Sequence, residues 1–431
     1  MNYKLSVIIP AYNGEKFLAE TLDNALNQTL KNVQIVIVDD GSTDSTADII
    51  AEYAKKHDNI LALSQPNSGV SAARNNGIRN ASGEYLLFLD SDDVFTPDSF
   101  SLMCDKLDRT GADIAICRVQ RFGFGGEEYN PIVDEFTKED SIDCYDKRLL
   151  WNFLVSNKCY RTEWLKKTGI EFPALRYSED GAFFMQAVYH FPKITGVHGA
   201  VFRYRRHTPA EGSSVTQRIS LQLVSDFCKS LDIVYNAAKE SFTKDGCSCA
   251  DKDGYLQEIL SKAYTALVNE FYRMIWAADD ETCIFMKERF DYLTSLMTAE
   301  TLKKCRLNHK DIKNLVFDKK EIGENPQITV IAKHPTKEFV LTLYAQSMPV
   351  FQFLTASGIT RENLTILSSA NFDNKAKEAT KGETVITLSG KKPLDLRFLK
   401  VVSLLRNSPK FRIFPDSVIS FGAKLFLKLF R

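Results

Sequence analysis

The stretches Leu5-Ser6-Val7-Ile8-Ile9-Pro10 and Val33-Gln34-Ile35-Val36-Ile37-Val38 are apolar, and the second ends on Asp39-Asp40. Neither alternates apolar with polar residues, the pattern of strands buried on both faces. Between them Phe17, Leu18, Thr21, Leu22, Ala25 and Leu26 recur at helical spacing over residues 14–30. The alternation then continues. Ser42 or Thr43 stands where a cap is needed for a helix through Ala47, Ile50, Ala51 and Ala54. Residues 60–63 read as a strand, 70–80 as a helix and 85–89 as a strand. Pro97 opens another helix, and 112–119 closes the series. Strands alternating with helices predict an open, mainly parallel α/β sheet with right-handed crossovers.

Working outward, the pattern loosens after Val119. Residues 123–146 read as loop and 147–168 as a helix. From 221 to about 315 the apolar residues keep helical spacing. Beyond Pro326, residues 328–332, 364–367 and 385–388 read as strands, with a helix around 339–346. The expected division is therefore 1–220 for the α/β domain, 221–325 for a mainly helical region and 326–431 for a small α/β module. In 417–431, Ser417, Ser420, Lys424, Lys428 and Arg431 fall at helical spacing on one face, and Val418, Ile419, Phe421, Leu425, Phe426 and Leu429 fill much of the remainder. Such a basic amphipathic helix either lies on an anionic membrane or docks on its own domain or a second subunit.

Bulk composition narrows the function classes. A chain of 431 residues predicts two or three domains. Lys+Arg and Asp+Glu balance at 55 each, so no basic excess points to nucleic acid. The nine cysteines are scattered without a CxxC pair, which reads as reduced thiols in the cytoplasm. No apolar run approaches the roughly 20 residues that span a bilayer.

Open parallel sheets bind ligands at the carboxyl ends of their strands. Those ends carry Pro10-Ala11-Tyr12-Asn13, Asp39-Asp40-Gly41-Ser42 and Asp90-Ser91-Asp92-Asp93. Carboxylates crowded on one rim repel unless a cation lies between them. Oxygen ligands beside a phosphate-bearing substrate suit Mg²⁺ or Mn²⁺. The first turn lacks GxGxxG, and no GxxxxGK[ST] loop occurs, so side chains and a metal, rather than a glycine cradle, would hold a nucleotide.

Four blocks in order, Ser6-Val7-Ile8-Ile9-Pro10-Ala11-Tyr12-Asn13, Val38-Asp39-Asp40-Gly41-Ser42-Thr43-Asp44, Asn67-Ser68-Gly69-Val70-Ser71-Ala72-Ala73-Arg74-Asn75 and Phe88-Leu89-Asp90-Ser91-Asp92-Asp93, resemble those of family 2 glycosyltransferases. The resemblance covers about the first 215 residues. It implies the GT-A fold, a Rossmann-like open mixed sheet of the nucleotide-diphospho-sugar transferases, and an inverting, metal-dependent transfer from a nucleotide-sugar, most simply a UDP-sugar. By that resemblance Pro10 and Tyr12 pack on base and ribose. Asp39 and Asp40 face the uracil imide, Asp40 foremost, and Arg74 lies near the base or diphosphate. Asp90 faces the ribose, and Asp92 ligates the metal. Ser178-Glu179-Asp180 resembles the block that supplies the base, so Asp180 would deprotonate the acceptor hydroxyl while Glu179 orients it or binds acceptor. Tyr204-Arg205-Arg206-His207 and Ser213-Ser214 resemble the loop closing over the donor, with Arg206 on the diphosphate and His207 in the metal shell. The implied acceptor is a glycan, polyol-phosphate or lipid-linked hydroxyl in bacterial surface polysaccharide synthesis, and the implied location is cytoplasmic, at the inner membrane face where 417–431 binds it.

Plainer roles stand beside these. An Asp at a strand end commonly caps a turn or helix, which suits Ser42, Asp44 and Asp93. Glu179 and Asp180 could merely favour a helix N-terminus. Arg74 and His207 could be solvated surface residues. Two other functions remain: a sugar nucleotidyltransferase, which would want a glycine-rich first loop, and a glycan-binding scaffold with decayed activity.

Overall fold

The computed structural model describes residues 3–123, 126–207, 221–274, 280–309, 327–333, 364–368 and 383–389. Strands β1 (Leu5–Ala11), β2 (Val33–Asp39), β3 (Ile60–Ser64) and β4 (Tyr85–Phe88) form a parallel block in the order β3-β2-β1-β4. Every residue of β1 and β2 is buried, which is why neither run alternates. Helices α1 (Leu18–Leu26), α2 (Thr46–Lys56) and α3 (Val70–Asn80) connect the strands. Helix α3 packs so closely on the sheet that a Cβ on Gly77 would lie 2.3 Å from Ile8 Cγ2. Only glycine fits there.

The sheet continues through β5 (Val94–Phe95), α4 (Ser99–Thr110), β6 (Ile114–Gly123), β7 (Glu128–Tyr129), α5 (Pro131–Phe136), β8 (Lys158–Arg161), α6 (Thr162–Thr168), α7 (Glu179–Val188) and β9 (Ile194–Arg206). Its full order is β3-β2-β1-β4-β8-β6-β9-β5, with β7 paired to β6. Strand β8 runs antiparallel to both β4 and β6, whereas β6 and β9 are parallel. The sheet is therefore mixed, with its larger parallel part formed by β1 to β4.

Three local expectations fail. Residues 123–146 are not all loop, since β7 and α5 lie within them. Residues 147–168 are not one helix: a short 3-10 turn at Lys147–Trp151 leads into β8, and only Thr162–Thr168 is α-helical. Ser42 and Thr43 do not cap α2. Asp44 accepts the Thr46 amide (3.0 Å), while Ser42 Oγ accepts the Asn13 amide (3.0 Å).

Helices α8 (Leu221–Ser241) and α9 (Lys252–Met274) follow. The first compact unit runs from Met1 to Ala263, so α8 and the start of α9 belong to its packing. The second unit, from Tyr264, contains α10 (Asp280–Leu296), α11 (Ala299–His309) and strands β10 (Gln327–Lys333), β11 (Leu364–Ser368) and β12 (Glu383–Ser389). These strands form a parallel sheet in the order β11-β10-β12 and coincide with the three strands expected beyond Pro326. The helix expected around 339–346 and the basic stretch 417–431 lie outside the described residues, as do Ser213 and Ser214. No helix among the described residues is long and apolar enough to cross a membrane.

Candidate active site

The carboxyl ends of β1, β2 and β4 open on one rim, because Ala11 lies beside Asp39 and Ile8 beside Phe88 in register. The rim is organised by one buried guanidinium. Arg74 Nη2 donates to Asp90 Oδ1 (2.8 Å), and Nη1 donates to Glu179 Oε1 (2.8 Å) and Asp180 Oδ1 (2.6 Å). Three acids from two separate segments thus converge on a residue of α3. Burial works against the charge on Arg74, but Asp180, Asp90 and Glu179 outweigh it and hold the guanidinium protonated beyond its ordinary range. Arg74 is accordingly not a solvated helix residue.

Helix α3 also explains why the Glu179-Asp180 pair arrives here. Ser71 Oγ donates to the Leu175 carbonyl (3.1 Å). Asn75 exchanges two bonds with the backbone of Phe172, at 2.9 and 2.8 Å. Side chains spaced along one face of α3 therefore pin the chain leading into α7. From the other side, the Asp226 carboxylate of α8 accepts the Arg176 amide (2.9 Å), and Ser230 Oγ donates to the Ser178 carbonyl (2.7 Å). Ser178 has φ +60°, a left-handed conformation that a non-glycine residue holds only when its surroundings fix it.

Asp180 sits at the first turn of α7. Burial pushes its carboxyl up to about 7, against the pull of Arg74, with Glu179 and Asp90 adding to the rise. Its Oδ2 accepts the Val155 amide at 3.4 Å. The neighbouring Ser156 Oγ donates to Asp90 Oδ2 at 3.3 Å. The loop carrying both is stapled from inside by Lys158, whose ammonium donates to the Asn152 carbonyl (3.1 Å), the Leu154 carbonyl and Asn157 Oδ1 (2.8 Å). Burial draws the Lys158 ammonium down to about 7.

Next to this cluster, Asp92 Oδ2 and His207 Nε2 meet at 2.7 Å, and the His207 ring leans on Phe17 with centroids 5.0 Å apart. Burial and then Asp90 raise the Asp92 carboxyl above its usual range, so a cation at this point would be electrostatically favoured. A carboxylate oxygen and an imidazole nitrogen are both competent ligands for a divalent ion. Among the described residues no three such side chains converge into a closed metal cage. Asp93 is buried and accepts the Arg205 amide (2.6 Å), leaving its other oxygen without a partner. Burial, with Asp92 and Asp90, pushes it well above the usual carboxylate range.

Beyond the end of β2, Asp40 Oδ1 accepts Gln65 Nε2 (2.8 Å) and the Ser68 amide (2.9 Å), and Oδ2 accepts the Gly69 amide (2.8 Å). Asp39 Oδ1 accepts the Ser42 amide (3.1 Å), closing the turn that Gly41 makes at φ +75°. Tyr12 is half exposed at the rim and Pro10 is buried within β1.

The structure thus brings together Asp90, Arg74, Glu179 and Asp180 in one cluster and Asp92 with His207 in a second. It does not bring Arg206 to them: Arg206 Nη2 donates to the Gly126 carbonyl (3.3 Å). The neighbouring Arg205 lies against Asp92 instead, with Nε donating to the Asp92 carbonyl (2.6 Å) and its guanidinium ion-paired with Glu20 (2.7 Å). Successive residues of a strand point to opposite faces, so the two arginines at the end of β9 meet different partners. Ser156 and Lys158 carried no sequence signal that selects them.

Residues 6–169 match the family model of glycosyl transferase family 2. This segment is a family 2 glycosyltransferase domain. Over 229 residues the chain is 31% identical to the putative glycosyltransferase EpsH of Bacillus subtilis, covering 51% of this chain and 64% of that protein. It is 32% identical over 197 residues to the poly(ribitol-phosphate) beta-glucosyltransferase of Bacillus spizizenii, covering 44% of this chain and 30% of that one. It thus spans less than two thirds of the length of these curated relatives. Among solved structures, S. aureus TarS 1-349 in complex with UDP-GlcNAc superposes with TM-score 0.57 at 22% identity, covering 73% of this chain and 88% of that one. That likeness shows the fold, which is GT-A. The Arg74 and Asp180 cluster straddles the glycosyltransferase domain and the α7 segment just beyond the matched residues.

Proposed function

We propose that this protein is an inverting glycosyltransferase, dependent on Mn²⁺ or Mg²⁺, that moves a hexosyl or N-acetylhexosaminyl group from a UDP-sugar to an acceptor hydroxyl. The observation that carries the reading is the Arg74-centred cluster, in which one buried cation holds a nucleotide-side carboxylate, Asp90, and a candidate base, Asp180, in fixed relation. Asp180 accepts the proton of the acceptor hydroxyl as its oxygen attacks the anomeric carbon and the bond to the diphosphate breaks on the opposite face. That single displacement inverts configuration, as in inverting glycosidases. A base poised near neutral pH suits this task, and a carboxyl pushed up to about 7 fits it.

Glu179 shares Arg74 with the base and orients it. Asp40 and Tyr12 take the base of the nucleotide, with Asp39 and Pro10 shaping that pocket, and Asp90 the ribose. Asp92 and His207 would hold the divalent ion, which when bound offsets charge on the leaving diphosphate. The names of the poly(ribitol-phosphate) transferase and of TarS with its UDP-GlcNAc support a surface-polymer acceptor and a UDP-sugar donor. Residues 221–325 and 326–431 are proposed as a helical region and a small module appended to the catalytic domain, with 417–431 touching the inner membrane face.

The test is UDP release from a panel of UDP-sugars with and without Mn²⁺ or Mg²⁺. Metal-dependent release from at least one donor is expected. Release of pyrophosphate from UTP and a sugar phosphate, with no UDP from any UDP-sugar, would overturn the reading.

A further inference from the structure

A second set of side chains beside Asp180 has no part in the chemistry above. Lys262, on α9, is buried to within 8% of its surface, yet no carboxylate or carbonyl among the described residues accepts from its ammonium. Its nitrogen lies 3.5 Å from the centroid of Phe153 and 4.5 Å from that of Trp151. The nearest acid along the helix, Glu258, is drawn to Lys147 at 4.0 Å. Burial pulls the Lys262 ammonium down to about 7 against the opposing pull of the Glu258 charge, and an arriving anion would reverse that shift. Aromatic faces attract a cation but offer it no counter-charge.

Trp151 is 48% exposed, an indole left open at the surface. The segment that carries Trp151 and Phe153 leads directly to the base. Phe153 lies over the first turn of α7, so close that a Cβ on Gly181 would stand 3.0 Å from its Cγ. Two residues further on, the Val155 amide meets Asp180 Oδ2. Through Phe153, a buried ammonium and an open aromatic face thus adjoin the first turn of α7, which carries Asp180.

We propose that Trp151, Phe153 and Lys262 form an acceptor subsite that takes a phosphate-bearing glycan or polyol chain. The ammonium meets a phosphate oxygen, and the indole covers the apolar face of the adjoining sugar or polyol. A phosphodiester stays ionised at neutral pH, and a lysine binds it as a point charge without needing a planar partner. The proposal rests on the glycosyltransferase reading and names the acceptor class for that same site.

Calorimetric titration of the full chain tests it with four probes: a short synthetic glycerol-phosphate oligomer, a short-chain lipid-linked sugar diphosphate, a uronic acid oligosaccharide and a neutral oligosaccharide. Wild-type protein should bind one of the phosphate probes, and which one identifies the source of the phosphate. Lys262→Met keeps the shape and removes a buried charge, so folding is not at risk. It should weaken the phosphate probe about tenfold, equivalent to about 1.4 kcal/mol, and leave the neutral probe unchanged. Lys262→Arg should restore most of the binding, and Trp151→Ala should weaken phosphate and neutral probes alike. Equal phosphate affinity in wild type and Lys262→Met, or tighter binding of a uronic acid oligosaccharide than of either phosphate probe, would overturn the proposal. So would failure of both phosphate probes at millimolar concentration while UDP still binds. Loss of UDP binding by the wild-type chain would instead overturn the underlying reading.

Discussion

At the residue scale, the behaviour of the site depends on how Arg74 divides itself among three acids. Asp180 must be ionised to accept a proton, so kcat/KM should rise with pH through a midpoint near 7, where burial has pushed its carboxyl. Arg74→Lys should move that midpoint upward, because a lysine cannot reach Asp90, Glu179 and Asp180 together and the stabilisation of the ionised base weakens. Asp180→Asn should lower kcat by about a hundredfold or more, the scale of lost general-base catalysis, with UDP affinity changed little. The same shift has a stability consequence. A carboxyl raised in the folded state above its usual 3.8 contributes stability below that pH, and the contribution is lost as pH rises through about 7. Asp180→Asn should therefore flatten the fall in melting temperature between pH 4 and 8. An unchanged slope would show that Asp180 ionises normally in the apo protein.

At the element scale, the decisive piece is β8 with the loop before it. The loop carries Val155 and Ser156 to the two site carboxylates, and Lys158, the first residue of β8, holds it by three acceptors. Lys158→Met should leave those acceptors unpaired, at a cost of about 1–3 kcal/mol for each that water cannot reach. The expected result is a lowered melting temperature and a kcat reduced about tenfold, with donor affinity nearly unchanged, as steady-state kinetics with varied donor would show. A donor affinity that fell as far as kcat would mean that the loop serves the nucleotide instead. None of this was legible in the sequence. Lys158-Cys159-Tyr160-Arg161 is a central strand, yet charged residues at both ends hide it, and the flanking Leu149, Leu150 and Leu165 mimic a helical stripe. By contrast β1 and β2 were readable because they are buried without exception. The rim acids were readable for the same reason, since strand ends are fixed once strands are. Arg74 was legible as a site residue but not as the hub, because its three partners are 16 to 106 residues away in sequence.

At the scale of the whole molecule, the support for the site extends past the family-matched segment. Tyr189, which follows α7, and Tyr255 of α9 share a hydroxyl contact of 3.2 Å, and Tyr145 meets the Tyr255 ring edge-on at 5.2 Å. Val234, Ala238, Tyr255 and Ile259 are buried in the same core as the sheet. A chain ending after residue 220 would strip that cover from α7, expose a contiguous apolar face and release Ser178 from Ser230. A chain ending after Met274 would keep α8 and α9 entire. The longer truncation should unfold in one cooperative transition and bind UDP within a few-fold of the full chain. The shorter one should aggregate, or melt at least about 5 °C lower, the shift expected when a domain of this size loses a few kcal/mol. Thermal unfolding with size-exclusion chromatography distinguishes the two. If the 220-residue chain were as stable and as competent for UDP as the 274-residue chain, α8 and α9 would be passengers on the catalytic fold, and the bracing of the Glu179-Asp180 turn would have to come from α3 alone.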